Sequence, residues 1–165
     1  YNGLAVLPYD GGSYVQAPFE DIKASTYNEM LKDLLPDKQT YQKDVQKWEF
    51  VIEENDRVTK AELCLDQNDL DGLGELMWES HKGLSQKYKV SCPELDFIVQ
   101  HTKNLSYIKG ARMMGGGFGG CCILLIQSSA IMGFKELITT PFTKAFDAQP
   151  EFYQFELVDG TQEYS

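Results

Sequence analysis

Five glycines in six residues, Gly115-Gly116-Gly117-Phe118-Gly119-Gly120, make up the part of this chain best suited to chemistry. Ordering a glycine costs more backbone entropy than ordering any other residue, so a run this dense needs positive φ or close approach of backbone to a ligand. Amides unobstructed by side chains can converge on an anionic oxygen, and Arg112 just before the loop would add a cation. The same glycines also suit a sharp hairpin packed tightly on a helix, and spacing alone leaves both readings open. The loop lacks the Gly-Lys-Ser/Thr ending of a P-loop and no helix follows it directly, so neither the P-loop nor the dinucleotide fingerprint fits.

Other reactive side chains have plainer readings. Cys64, Cys92, Cys121 and Cys122 contain no C-x-x-C pair, and neither His81 nor His101 has a metal-ligand partner at the right spacing. Neighbouring Cys121 and Cys122 would point to opposite faces of a strand, so buried structural thiols are expected. His81 falls on the apolar side of its helix between Met77 and Leu84, where a hydrogen-bonded core histidine is expected. Glu53, Glu54 and Asp56 read as a solvated face, and no Ser-His-Asp or Cys-His set can be assembled.

The elements that must position the loop follow from the apolar pattern. Leu4 to Pro18 reads as strand, turn, strand, and Tyr27, Met30, Leu31 and Leu34 predict a short helix before Pro36. Val45, Trp48, Val51 or Ile52, Val58, Ala61 and Leu65 predict a long amphipathic helix from Thr40, and a second runs from Asp69 to Tyr88. Ser91-Cys92-Pro93-Glu94 has the form of a capping box opening a third helix with Leu95, Ile98, Val99 and Thr102 inward. Tyr107 to Met113 and Cys121 to Ile126 then predict a buried β-hairpin closed by the glycine loop. Ser128 or Ser129 would cap a further helix that Pro141 must kink or end, and Phe152 to Val158 reads as a last strand. The class is α+β, an antiparallel sheet packed with helices.

The 165 residues carry 15 Lys+Arg against 25 Asp+Glu, a net charge of −10, with 42% hydrophobic residues. That is enough apolar material for one ordinary domain. The acid excess disfavours nucleic acid and anionic membrane and no apolar stretch is long enough for a membrane span, so a soluble intracellular protein without a leader is the expectation.

Glu79-Ser80-His81, then Tyr88-Lys89-Val90-Ser91-Cys92-Pro93-Glu94-Leu95-Asp96, then Gly110-Ala111-Arg112-Met113-Met114 running into the glycine loop and Cys121 strongly resemble the C-terminal half of galactokinases, in the GHMP kinase superfamily. The resemblance spans about residue 41 to the C-terminus and includes Val51 to Val58. Tyr1-Asn2-Gly3-Leu4-Ala5-Val6-Leu7-Pro8 is similar to the segment directly after the Gly-Glu-His-Thr-Asp core of the galactokinase sugar signature. The resemblance therefore divides the chain into residues 1–40, an incomplete remnant of the kinase N-terminal domain, and 41–165, a GHMP kinase C-terminal domain.

The resemblance implies transfer of the γ-phosphoryl group of ATP, with Mg²⁺, to the C1 hydroxyl of galactose, in a cytoplasmic and monomeric protein. It places Asn2 and Gly3 near the sugar, and Gly115, Gly116, Gly117, Phe118, Gly119 and Gly120 near phosphate or sugar. The family's Gly-Leu-Ser-Ser-Ser phosphate loop and its later catalytic Asp do not occur in these 165 residues, so no catalytic or metal-binding residue is expected here. The expectation is that the chain is part of a longer protein. A kinase for N-acetylgalactosamine, a non-catalytic regulatory protein responsive to sugar or ATP, and a bare structural module are the alternatives.

Overall fold

The structure, a computed structural model, describes residues 4–8, 14–18 and 38–154, with side chains for residue 43 and for 45–154. Strands β1 (Leu4–Pro8) and β2 (Tyr14–Pro18) pair antiparallel, Leu4 opposite Pro18 and Pro8 opposite Tyr14. The helix expected before Pro36 lies outside the described residues, as do Asn2 and Gly3.

Helix α1 (Lys38–Asp66) and helix α2 (Leu70–Gly83) are joined by a tight turn with Asn68 at φ 54°. Asp69 caps α2 by accepting the Gly72 N–H at 2.9 Å, so one of the four unpaired amides of the helix start is satisfied. The two helices run antiparallel, with Phe50 of α1 against Gly83, Glu54 against Ser80 and Cys64 against Gly72. The stripe of α1 that meets α2 is therefore Phe50, Glu54, Arg57 and Cys64, which recur at helical spacing. This corrects the expected stripe: Val58 and Leu65 are 63% and 61% exposed, while Phe50 is buried. Hydropathy misassigned the face because two of its members are an ion pair, Arg57 Nε to Glu54 Oε2 at 2.8 Å.

The last predicted turns of the second helix widen into a π-helical turn, Leu84–Tyr88, which ends at Lys89 in a left-handed conformation (φ 60°). Helix α3 (Pro93–Thr102) follows with Leu95, Val99 and Thr102 buried. Its start corrects the capping-box reading. Cys92, not Ser91, is the N-cap residue, and Ser91 Oγ donates instead to Asp96 Oδ1 at 2.6 Å.

Strands β3 (Ile108–Met114) and β4 (Cys121–Ile126) form the expected antiparallel hairpin, with an irregularity between Ile108 and Gly110. Its burial is one-sided. β3 is buried at Ile108, Gly110, Ala111 and Met113, whereas no β4 residue is fully buried and Cys121 is exposed. The apolar run of β4 thus covers one surface without being enclosed, which composition alone cannot reveal.

A 3₁₀ turn, Ser128–Ala130, leads into α4 (Ile131–Phe146), and neither serine caps it, since Ala130 holds the cap position. Pro141 sits inside α4 and the helix continues past it. The missing amide bond is offset by aromatic packing beyond the proline, where Phe142 and Phe146 lie 5.9 and 5.3 Å from the Phe97 ring. Phe152 to Gln154 form no strand, and Phe152 instead packs against the Ile108–Phe134–Ile138 core. Residues 155–158 of the expected strand lie outside the described residues.

Helix α2 lies on β3 at backbone contact. A Cβ at Gly74 would overlap the Lys109 carbonyl oxygen, and one at Gly110 would meet the Gly74 backbone. Gly74→Ala is expected to lower unfolding free energy by about 1–3 kcal/mol through overpacking. Gly133→Ala, in the interior of α4 with open space around it, is expected to raise it by about 0.5–1 kcal/mol. Urea denaturation of the two variants checks both signs.

Candidate functional site

The loop between β3 and β4 turns through five left-handed residues, Gly115 (φ 86°), Gly117 (90°), Phe118 (60°), Gly119 (141°) and Gly120 (98°). Side chains other than glycine are strained in this region, which accounts for glycine at Gly115, Gly119 and Gly120. Gly117 has a second reason, because a Cβ there would strike the Val90 carbonyl and side chain. Phe118 tolerates its conformation through one anchor, its N–H donating to the Val90 carbonyl at 2.7 Å, while its ring is 78% exposed.

Gly116 differs from the rest. Its φ is not left-handed and nothing lies within 4 Å of where its Cβ would stand. Neither backbone strain nor packing among the described residues calls for glycine there. Both sequence readings of the loop therefore apply to different residues: a tight turn explains four positions, and open backbone facing outward describes Gly116.

A buried polar network holds β3 where the loop begins. His81 on α2 accepts the Met113 N–H at Nδ1, 3.1 Å, so its neutral ring carries the proton on Nε2 and donates it to Asp96 Oδ1 at 3.1 Å. Asp96, on α3, also accepts from Ser91 Oγ and from Ser85 Oγ at 3.0 Å. One imidazole thus ties together two helices and a strand one residue from Met114, the last residue before the loop. Burial holds the His81 pKa below its ordinary value of 6.5, the opposing pull of Asp96 being smaller. A charged His81 would have to place a second proton on Nδ1, facing the Met113 N–H.

Glu54 makes a second junction. Its Oε1 accepts from Ser80 Oγ at 2.5 Å and from Arg112 Nη1 at 3.1 Å, and its Oε2 pairs with Arg57. This corrects the reading of Glu54 as part of a solvated face. It also relocates Arg112, whose guanidinium pairs with Glu54 and donates from Nε to the Met113 carbonyl, bracing the strand instead of presenting a cation to the loop. Glu54 and Asp96 are the functional-support residues that sequence reasoning missed. Their carboxylates stand within the motifs already quoted, but only the fold shows that each is a junction.

The four cysteines are free thiols. The expectation that they are buried is corrected: Cys121 is exposed and the others are partly buried. Burial raises the Cys122 thiol to about 12, so it is not a nucleophile at neutral pH. Among the described residues no group of three or more His, Cys, Asp or Glu side chains comes together that could hold a metal ion. No helix among them is long and apolar enough to cross a membrane.

Residues 61–131, which include α2, the His81–Asp96 network and the whole glycine loop, match the family model for the GHMP kinase C-terminal region. These residues belong to the GHMP kinase C-terminal family. It is 41% identical over 114 residues to a galactokinase of Thermotoga petrophila, covering 69% of this chain and 33% of that protein. A galactokinase of Clostridium tetani is 41% identical over 113 residues, covering 68% of this chain and 29% of that one. The chain thus spans about a third of the length of the curated relatives it matches. Among solved structures, Lactococcus lactis galactokinase complexed with galactose superposes with a TM-score of 0.70 at 25% identity, over 82% of this chain and 34% of that one. L. major mevalonate kinase in complex with R-mevalonate superposes with a TM-score of 0.51 at 23% identity, over 87% of this chain and 44% of that one, and shows the same fold. In this GHMP kinase C-terminal domain the α+β architecture read from the sequence is the observed one.

The His81 pKa sets a direction for pH dependence. Because it is lower folded than unfolded, the unfolded chain binds more protons just below pH 6.5. The stability that neutral His81 supports is complete above that pH and falls as pH drops toward the folded value. His81→Gln is expected to lower stability at pH 7 and to flatten the slope of unfolding free energy as pH falls below 6.5. Urea titrations at several pH values read both effects.

Proposed function

We propose that this domain forms the wall of a galactokinase active site opposite the phosphate loop, in a protein that phosphorylates D-galactose at its C1 hydroxyl with ATP. The observation that carries the reading is Gly116, a glycine that nothing among the described residues requires, at the outward side of a loop held by two part-buried polar junctions. Among the loop amides, Phe118's alone has a backbone partner within the described residues, so the others remain able to meet an anionic oxygen. The identity to galactokinases and the likeness to one complexed with galactose support the same chemistry.

Phosphoryl transfer is catalysed mainly by positioning and charge stabilisation. The residues present contribute positioning. Gly115 to Gly120 bring backbone close to the transferring phosphoryl group or the sugar, and the His81 and Glu54 junctions keep that backbone from moving. ATP, when bound, supplies the phosphoryl group. Mg²⁺, the base near the sugar hydroxyl and the phosphate loop belong in this reading to the parts of the relatives that the chain does not span. Residues 1–40 are read as belonging to the N-terminal domain, with Asn2 and Gly3 beside the sugar, and 41–165 as the C-terminal domain. A cytoplasmic location fits this assignment.

Gly116→Val in the complete protein tests the role of the loop. The expected result is a fall in kcat/KM for galactose and ATP of about 10²-fold, the scale of misplacing a substrate by about 1 Å, with a thermal midpoint within about 2 °C of the parent. Gly117→Val, which collides with Val90, should lose stability as well. Unchanged turnover in Gly116→Val removes the loop from the active site.

A further inference from the structure

A cavity of about 410 Å³ opens beside the glycine loop, between the N-terminal half of α1 and the exit of the π-helical turn. Four of its eight lining residues are lysines, Lys43, Lys47, Lys87 and Lys89, and none is acidic. In a chain with a net charge of −10, this is a local reversal of sign. Glu53 neutralises Lys87 at 2.5 Å, whereas Lys43 and Lys89 enter no ion pair among the described residues. Lys89 is held at the mouth by its left-handed backbone, closed by the Val90 N–H on the Leu84 carbonyl at 3.0 Å.

We propose that this cavity binds a small polyvalent oxyanion, an oligophosphate or a multi-carboxylate. The volume lies within the usual range for small-molecule pockets. Ammonium groups carried by two separate stretches of backbone favour an anion with several charged oxygens over a single monovalent ion, since each lysine held in place costs side-chain entropy that one contact would not repay. The ligand also meets the loop. Phe118 lines the cavity, and its amide is held by Val90, another lining residue against which Gly117 packs. Occupancy therefore bears on the one backbone anchor of Gly115–Gly120, which makes the cavity an effector site for the loop. This inference rests on the cavity and its charges and does not require the kinase reading.

The test is a titration of the 165-residue chain with tripolyphosphate and, separately, citrate at low salt, read by calorimetry and by the amide resonances of Val90 and Phe118. Saturable one-to-one binding is expected, with both resonances shifting and the thermal midpoint rising. Lys43→Gln with Lys89→Gln should weaken it about tenfold, about threefold for each exposed charge contact. Lys82→Gln with Lys144→Gln removes the same charge from exposed sites elsewhere and should change it less than twofold. Saturation by tripolyphosphate alone assigns phosphate chemistry, and by citrate alone carboxylate chemistry. No saturation with either, equal weakening in the two double variants, or shifts confined to residues away from the cavity overturns the proposal.

Discussion

The approach of α2 to β3 at Gly74 and Gly110 is the constraint on which the rest of this domain depends. Two backbones meet there with no side chain between them, and any Cβ on either side would overlap main-chain atoms of the other. Because the strand lies that close, a short imidazole on α2 can reach its amide. His81 spans from Met113 to Asp96 with about 3 Å at each end, a bridge that would fail if the helix stood off by the width of a methyl group.

That contact explains why polar groups can be buried at the centre of the domain. Buried polar atoms cost free energy unless they are hydrogen-bonded. Ser80, His81 and Thr102 are all buried and all partnered, Ser80 by Glu54 of α1, His81 by Met113 of β3 and Asp96 of α3, and Thr102 by Val99 in its own helix and by Trp78 of α2. Glu54 does the same at the edge, gathering Ser80, Arg57 and Arg112 from two helices and a strand. The effect is to fix the register of β3 on α2 and α3 by directional bonds, which an apolar interface alone would leave free to slide. A glycine-rich loop has little rigidity of its own. It inherits its position from the strand that enters it and from the Val90–Phe118 hydrogen bond.

The loop combines two demands that are ordinarily separate. Gly115, Gly119 and Gly120 serve the turn, and Gly117 serves packing against Val90, while Gly116 serves neither. Lysines on the far side of Val90 place positive charge next to a backbone segment that otherwise has none, since Arg112 is consumed by Glu54. An acidic chain thus places a lysine-lined hollow next to the open backbone of its glycine loop.

The order of elements from α1 through α4, the α+β class, the hairpin and the buried face of α3 could be read from the sequence, because periodicity and glycine density are local properties, whereas the strand expected from Phe152 is absent at residues 152–154. Leu95, Val99 and Thr102 repeat at helical spacing and are buried as expected. The motifs of the GHMP kinase C-terminal region were legible as well, being contiguous strings. What the sequence could not determine was which face of α1 is covered, because the covering stripe contains Glu54 and Arg57, and a paired charge has the same hydropathy as a solvated one. Nor could it show that Ser91 reaches Asp96 instead of capping its helix, that α4 continues past Pro141 on the strength of Phe97, or that Arg112 turns away from the loop. The last two depend on partners distant in sequence that only the tertiary structure brings within reach, and Asp96, five residues from Ser91, is also bonded to His81 of another helix.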